Sequence, residues 1–426
     1  MISFEEAKLL LEKRGLDEGF SAVYPKKDFD LHYERYQAVL KSFGELFGEN
    51  RQVGLFSAPG RTEVGGNHTD HNHGKVLAAS VSLDAIAVAS PSENGIVRIK
   101  SQGYDMDTVD CSELSPRMCE EGKSQALVRG VLDRFSQLGY KIGGFDAATA
   151  SSVLSGSGLS SSAAFEVLVG TILNHLYNDG KISPVEIAKI AQYAENVHFK
   201  KPCGLLDQTA CSVGSFVTVD FNDPSEPVIK KVDFDLASSG YSLCIVDTGK
   251  SHSDLTDEYA SVRSEMESVA AFFQKKVLRE INKSDVIENA AKLSEALGER
   301  AVLRALHFFG ENERVEKQVE ALEKKDMEGF NKLIVESGRS SYMYNQNVFS
   351  CADAKSQPLS LALLLSEELL SKRGAWRVHG GGFAGTIQAF VPDELLEKYT
   401  SSMKALFGEK CCHVLSIRPV GGAKII

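Results

Sequence analysis

The sequence predicts an α/β protein of the α+β type that is organised in two domains. Its 426 residues suffice for two to three domains of ordinary size. Hydrophobic residues make up 43% and charged residues 25%, which is typical of folded globular proteins and excludes disordered, collagen-like and coiled-coil classes. Strand-like and helix-like runs are interspersed without the regular alternation of a doubly wound parallel sheet, and this favours the α+β type.

Charge and cysteine usage predict a cytoplasmic protein that binds neither nucleic acid nor membranes. The formal net charge of −11 opposes binding to a polyphosphate backbone or an anionic membrane. No two of the eight cysteines have CxxC spacing, so we expect free thiols. The N-terminal segment MISFEEAKLLLEKRG lacks the order of a signal peptide, and the most apolar stretches, such as 76–90, contain Asp84 or serines before they reach membrane-spanning length.

The first elements follow from residue spacing. Tyr33, Tyr36, Leu40 and Phe43 recur at helical intervals, which predicts helices up to about residue 48. From there to about Ile99, β-rich runs separated by Gly, Asn and Pro predict four strands with the sequences VGLFSAPG, KVLAASVS, AIAVASPS and GIVRIKS.

The middle of the chain alternates helices with single strands. A helix is predicted over 125–138, a strand over GFDAATASSV, and a long apolar helix from about Ser160 to Tyr177. The run S-P-x-E at 183–186 places Ser at the N-cap and Pro at the first helical position, which predicts a helix to about His198.

The last part of the chain is rich in helices and contains five more strands. Two strands are expected near 213–221 and 241–248, and apolar side chains from Asp257 to about Val277 line one face of a helix. The remaining strands are predicted at WRVHG, GTIQAFV and HVLSIRPV.

A polar, turn-rich stretch, APGRTEVGGNHTDHNHG at 58–74, is the first candidate site. A sugar needs hydrogen-bond donors and acceptors from the same wall, so this mixture of side chains favours a hydroxylated ligand. Two alternatives stay open. The stretch could be a solvated loop, or it could hold zinc through His68, Asp70, His71 and His73, although an extended segment would turn these side chains to alternate faces.

Two further stretches are rich in glycine. In SGSGLSSSAAFEV at 155–167, glycines and serines lead into a helix, and a helix start with free N–H groups predicts an anion site. An ordinary Ser-capped helix is the alternative. The motif is not a Walker A loop, and CIVDTGKS at 244–251 has Cys244 where that loop needs glycine. In GAWRVHGGGFAGT at 374–386, the glycines Gly380–Gly382 allow close backbone approach.

In combination, these stretches resemble the motifs of one family. APGRTEVGGNHTDHNHG resembles the galactokinase signature, SGSGLSSSAA the phosphate motif of the GHMP small-molecule kinases, and VHGGGFAGT their third motif. PCGLLDQ at 202–208 resembles the galactokinase segment that carries the catalytic aspartate. The resemblance spans about residue 34 to the C-terminus and implies the two-domain GHMP kinase fold, with the active site in the cleft between the domains.

The resemblance also implies a domain order. We expect an N-terminal extension at 1–30, an N-terminal GHMP kinase domain at 31–215 and a C-terminal GHMP kinase domain at 216–426. The boundary is soft, because the last strands could return to the first domain.

The ATP side of the site is assigned by the resemblance. Ser162 and Glu195 would bind Mg²⁺, since a hydroxyl, a carboxylate and phosphate oxygens suit that ion. A solvated charge at a helix end is the alternative reading of Glu195. The triphosphate of ATP would be wrapped by Ser155, Gly156, Ser157, Gly158, Leu159, Ser160, Ser161 and Ser162.

On the sugar side, the resemblance implies that Asp207 takes the proton from the C1 hydroxyl beside Arg61, a cation at any relevant pH. A purely structural salt bridge is the alternative for this pair. The residues expected to contact the sugar are Asn67, His68, Asp70, Gly204, Tyr259 and Gly381.

The expected reaction is ATP-dependent phosphorylation of galactose to α-D-galactose 1-phosphate. Three places depart from the signature. Asn67 stands where the family carries Glu, Val64 with Gly65 replaces a bulkier apolar pair, and His71 replaces Tyr. Another hexose or an N-acetylhexosamine is therefore an alternative substrate. A non-catalytic sugar and ATP sensor is disfavoured, because 158–164 is complete and the aspartate is present. We expect small-molecule partners only and a monomer or weak homodimer.

Overall fold

The computed structural model describes residues 1–153, 158–249, 255–371 and 373–426. The strands are Ile2–Ser3 (β1), Gln52–Gly65 (β2), Lys75–Ser92 (β3), Ile96–Ser101 (β4), Met106–Asp110 (β5), Gly144–Ser151 (β6), Phe216–Asp220 (β7), Val228–Val232 (β8), Tyr241–Asp247 (β9), Ala375–Val378 (β10), Thr386–Pro392 (β11), Cys412–Leu415 (β12) and Ala423–Lys424 (β13). The helices are Phe4–Glu12 (α1), Asp17–Ser21 (α2), Phe29–Phe47 (α3), Ser124–Gln137 (α4), Ser161–Tyr177 (α5), Pro184–Tyr193 (α6), Leu206–Val213 (α7), Thr256–Phe272 (α8), Lys283–Glu288 (α9), Ala290–Leu297 (α10), Glu299–Glu323 (α11), Met327–Ser340 (α12), Pro358–Leu370 (α13) and Leu396–Phe407 (α14).

The strands of the described ranges form two sheets. The larger sheet has nine strands, with β1-β2-β3-β6-β4-β5 as its main path, β13 beside β2, and β7 followed by β8 beside β3. The smaller sheet has the order β10-β11-β9-β12. Among the described strands, β4 and β6 alone pair in parallel, and the other pairs are antiparallel. This mixture of helices with largely antiparallel sheets confirms the predicted α+β type.

Alternating side chains of β2 supply two different cores. Val53 and Leu55 pack with the N-terminal helices α1 and α3, whereas Phe56 and Ala58 belong to a core that also contains residues of α4, α5 and α6. Successive side chains of a strand point to opposite faces of its sheet, so a helical layer covers each face. The helices predicted up to residue 48 are confirmed.

Strand β3 corrects one expectation. The runs KVLAASVS and AIAVASPS were expected to be two strands, and they form one. The residue between them, Asp84, is fully buried and accepts hydrogen bonds from Tyr24 and Arg35 at 2.6 Å each, with Arg418 3.3 Å away. A buried carboxylate with this many partners is tolerated inside a strand, and sequence spacing does not show those partners.

The predicted S-P-x-E helix is confirmed, and its end is unusual. Ser183 Oγ accepts a hydrogen bond from the Glu186 backbone N–H at 3.2 Å, and α6 then continues as a π-helical segment, Ala194–Phe199. Such wide turns often occur at functional sites. This one carries Glu195.

The larger sheet contains strands from both sides of residue 215. β7, β8 and β13 belong to the larger sheet, and Arg418 N donates a hydrogen bond to Ser80 O of β3 at 3.0 Å. A domain boundary near residue 215 stays a prediction. No helix in the described ranges combines the length and apolar character needed to cross a bilayer.

Candidate active site

Arg61 near the end of β2 and Asp207 in the first turn of α7 form a two-point ion pair. Nε and Nη2 of Arg61 each lie 2.7 Å from a carboxylate oxygen of Asp207. The Arg61 side chain is 12% exposed, whereas that of Asp207 is 33% exposed. Paired N–H donors fix the plane of a carboxylate. The acid is therefore held in one orientation and remains accessible from one side, unlike a sealed structural salt bridge.

Asp207 is held in its charged form. Burial alone would raise the pKa of its carboxyl group, but Arg61 and a hydrogen bond from Ser160 Oγ lower the pKa below its ordinary value. At neutral pH this group is a carboxylate and can accept a proton or a hydrogen bond.

The described end of the Gly/Ser loop lies against this pair. Arg61 Nη1 donates to the carbonyl of Gly158, and the Arg61 backbone N–H donates to Leu159 O at 3.1 Å. Gly158 has a φ of +74° and Ser160 a φ of +57°, which turn the chain into α5 at Ser161. Leu159 is fully buried, and its side chain packs in the core. The expected ATP contacts at Ser155, Gly156 and Ser157 lie outside the described residues.

Ser162 in the first turn of α5 and Glu195 in the π-helical segment are hydrogen-bonded to each other. Ser162 Oγ donates to Glu195 Oε1 at 3.1 Å, and Gln208 Nε2 donates to Glu195 Oε2 at 2.7 Å. Glu195 is 2% exposed, so the alternative of a solvated charge at a helix end is wrong. A second carboxyl group, that of Glu166, accepts a hydrogen bond from the same Gln208 nitrogen at 3.3 Å. Its pKa is raised, mainly by burial and also by the nearby charge of Glu195.

This donor set fits Mg²⁺. It offers a hydroxyl and a carboxylate oxygen, the hard ligands that the ion prefers, and leaves its other positions to phosphate and water.

The zinc alternative for 58–74 has no support in the structure. Across the described ranges, no three His, Cys, Asp or Glu side chains gather closely enough to hold a metal ion. The solvated-loop alternative for 58–74 does not hold either, because Thr69 and Asn72 are fully buried.

Three of the expected sugar contacts, His68, Tyr259 and Gly381, lie close together between the signature loop, α8 and the third motif. His68 Nε2 is 2.9 Å from Gly381 O, and Tyr259 donates from its hydroxyl to Gly382 O at 2.9 Å. A Cβ atom added to Gly381 would stand 2.2 Å from the ring of Tyr259. Position 381 therefore requires glycine, because the Tyr259 ring packs directly against its backbone.

Asp70 lies near both His68 and Asp207, and with Gly204 it continues the proposed sugar-binding surface. A Cβ atom on Gly204 would lie 3.1 Å from Asp70 Oδ2, so the two residues are neighbours. Burial raises the pKa of Asp70, His68 lowers it, and Asp207 is near enough to raise it further. The structure thus brings together the sugar-side residues named in the sequence analysis, with one exception.

The exception is Asn67, whose side chain is fully buried. Its Nδ2 donates to Glu63 Oε1 at 3.0 Å and to Gly380 O at 2.7 Å, and its Oδ1 accepts from Asn347 at 2.8 Å and Ser341 at 3.2 Å. An amide can form four such bonds, and all four are made within the protein. The expectation that this side chain contacts a sugar does not fit the geometry.

Sequence reasoning missed the residues of α11 that hold the signature loop. His307 Nε2 donates to Asn67 O at 2.9 Å, Gly66 N donates to Glu311 Oε1 at 3.2 Å, and Lys75 N donates to Asn312 Oδ1 at 2.7 Å. Burial lowers the pKa of His307 to about 4, so its ring is neutral. These partners lie more than 230 positions away from the loop, and no sequence pattern connects them.

Two segments of the chain that carry residues of this site match family models. Residues 41–91 match the family model for the galactokinase galactose-binding signature, and residues 126–215 match the model for the N-terminal domain of GHMP kinases. A Streptomyces coelicolor galactokinase is 33% identical over 394 residues, which cover 91% of this chain and 97% of that protein. An Actinobacillus pleuropneumoniae galactokinase is 34% identical over 363 residues, or 85% of this chain and 91% of that protein.

Solved structures share the fold. The Lactococcus lactis galactokinase complexed with galactose has a TM-score of 0.75 at 23% identity, covering 90% of this chain and 98% of that one. A mevalonate kinase has a TM-score of 0.61 at 13% identity, covering 85% of this chain and 99% of that one. At these identities the likeness concerns the fold alone, and it confirms the fold expected from the four motifs.

Proposed function

Because the chain belongs to the galactokinase family of GHMP kinases, we propose that it transfers the γ-phosphoryl group of ATP to the C1 hydroxyl of galactose, giving α-D-galactose 1-phosphate and ADP. The observation that carries this proposal is the position of the Arg61–Asp207 pair, between the described end of the phosphate loop and the wall formed by His68 and Asp70. A base at this place lies between the proposed sites for the two substrates.

Asp207 would accept the proton of the C1 hydroxyl as the oxygen forms its bond to the γ-phosphorus and the bond to the ADP oxygen breaks. Arg61 would stabilise the negative charge that develops on the transferring group, since it is fixed by Asp207 and by the Gly158 carbonyl. Positioning and charge stabilisation account for most of phosphoryl-transfer catalysis.

We assign the ATP side to the start of α5. The free backbone N–H groups there would bind the phosphates, together with the preceding loop from Ser155 to Ser160. Ser162 and Glu195 would hold Mg²⁺, which, when bound, neutralises charge on the phosphate oxygens. The contact between these two side chains supports the assignment.

The sugar would lie against His68, Asp70, Tyr259 and the backbone at Gly204 and Gly381. We also propose a cytoplasmic location, because all eight cysteines are free thiols, the state that the cytosol maintains. A monomer or weak homodimer and the domain order 1–30, 31–215 and 216–426 complete the proposal.

A coupled ADP-release assay over galactose, glucose, mannose and N-acetylgalactosamine tests this function, with the product identified by phosphorus NMR. Galactose should give the highest kcat/KM and an anomeric phosphate. Turnover of another hexose or of the N-acetylhexosamine without turnover of galactose would establish the alternative substrate. Binding of both sugar and ATP without turnover would establish a sensor.

A further inference from the structure

We propose that Glu63 is a specificity-determining residue whose carboxylate accepts a hydrogen bond from a hydroxyl of the sugar. The inference rests on the proposed function. Glu63 lies two residues after Arg61 on β2, and alternate side chains of a strand share a face. Thr62 between them is fully buried on the opposite face. The strand therefore directs Glu63 and Arg61 to the same side, which is the side of Asp207.

One oxygen of Glu63 is fixed and the other is free. Oε1 accepts hydrogen bonds from Arg377 Nη2 at 2.9 Å and from Asn67 Nδ2 at 3.0 Å. Among the described residues no donor reaches Oε2, and the Glu63 side chain is 14% exposed. The carboxylate of Glu63 is therefore mostly buried, and Oε2 is the oxygen left available to a ligand.

The residues behind Glu63 are themselves rigid. The Arg377 side chain is fully buried, and its remaining donors bind Val64 O at 2.7 Å and Val378 O at 3.0 Å. Asn67 also donates to Gly380 O in the third motif, next to Gly381. A carboxylate held from behind in this way is an acceptor whose orientation is set before a ligand arrives.

The two oxygens have different surroundings. Oε1 is used for hydrogen bonds inside the protein, whereas Oε2 is left available to a hydroxyl of a ligand. The amide of Asn67 holds one oxygen of Glu63, so β2 supplies an anionic acceptor beside the residues proposed to contact the sugar.

A cycle between enzyme variants and sugar analogues tests the contact. Wild type, Glu63→Gln and Glu63→Ala are compared on galactose and on its 2-, 3-, 4- and 6-deoxy derivatives, and KM for ATP is measured in parallel. Glu63→Gln should raise KM for galactose by roughly 10- to 100-fold, the usual range for a hydrogen bond to a charged group, with KM for ATP unchanged. One deoxy sugar should be poor for wild type and no worse than galactose for Glu63→Ala.

Equal losses on galactose and on every deoxy sugar would overturn the proposal, because a structural residue has no preference among hydroxyls. Glu409→Gln is the matched control, since its side chain is 88% exposed, and it should behave as wild type. If Glu63→Gln does not fold, Glu63→Asp is used in the same cycle, because it keeps the charge and withdraws the free oxygen; loss of selectivity at one hydroxyl supports the contact, and uniform losses refute it.

If wild type phosphorylates a sugar other than galactose, the proposed function fails, and the same cycle is run on the deoxy derivatives of that sugar. The two failures are therefore distinguishable.

Discussion

Arg61 and Asp207 face each other through two parallel hydrogen bonds, from Nε to Oδ1 and from Nη2 to Oδ2, each 2.7 Å long. The pair joins the signature strand β2 to α7, which lies 146 positions further along the chain. Its guanidinium also binds the carbonyl of Gly158 in the phosphate loop. One ion pair therefore sets the relative positions of three of the four motifs.

Asp207→Asn should fold and lose most phosphoryl transfer, because the substitution is nearly isosteric and removes the base. The expected decrease in kcat at saturating sugar and ATP is about 10²- to 10⁴-fold. The exposed residue Asp179, whose side chain is 80% exposed, provides the control Asp179→Asn. Retention of more than about a third of wild-type turnover would contradict the assigned role.

Glu195→Gln should raise the Mg²⁺ concentration needed for half-maximal activity, since it removes the charge of a proposed metal ligand. Galactose binding without nucleotide, measured by calorimetry, should stay unchanged. Direct titration of the ATP-loaded protein with Mn²⁺, followed by electron paramagnetic resonance, should show weaker metal binding. If both metal titrations match wild type, Glu195 does not bind the ion.

Asn67→Glu should destabilise the protein and raise KM for galactose. The new carboxylate would replace the amide donor that binds Glu63 Oε1 and Gly380 O, and it would bury a second negative charge beside the first. Losing those bonds inside the protein should lower the free energy of unfolding by about 2 kcal/mol or more. Urea unfolding measures this, with the exposed Asn50→Glu as control. A lower KM at unchanged stability would restore the direct-contact reading of residue 67.

The free energy of unfolding should fall as the pH drops from about 6.5 to about 4. Burial lowers the pKa of His32 and of His307 to about 4 and that of His379 to about 3. These values lie below the ordinary 6.5 of the unfolded chain, so in this window only the unfolded state binds the protons. Each histidine then contributes up to about 1.4 kcal/mol per pH unit, and nothing above pH 6.5.

Urea unfolding at a series of pH values for wild type and His307→Gln checks this expectation. The variant should show a shallower loss of stability between pH 6.5 and 4.5, by about the contribution of one proton. Equal slopes for the two proteins would show that His307 is not neutral in the folded state.

Local interactions made much of the chain predictable. The cap at Ser183, the start of α5 at Ser161 and the apolar face of α8 depend on residues within a few positions of one another, and the structure confirms all three elements. The four motifs indicated the family and its fold for the same reason, since each places its chemistry within a short segment.

The tertiary structure decided what long-range packing controls. Asp84 continues a strand because Arg35 and Arg418 neutralise it, Asn67 became a buried support, and Glu63 gained a free oxygen because Arg377 fixes the other. Apart from Arg35, these arginines lie more than 300 positions from their partners. Sequence spacing specifies which residues share a turn or a strand face, whereas the charge and exposure of a buried polar group depend on partners that only the folded chain brings into contact.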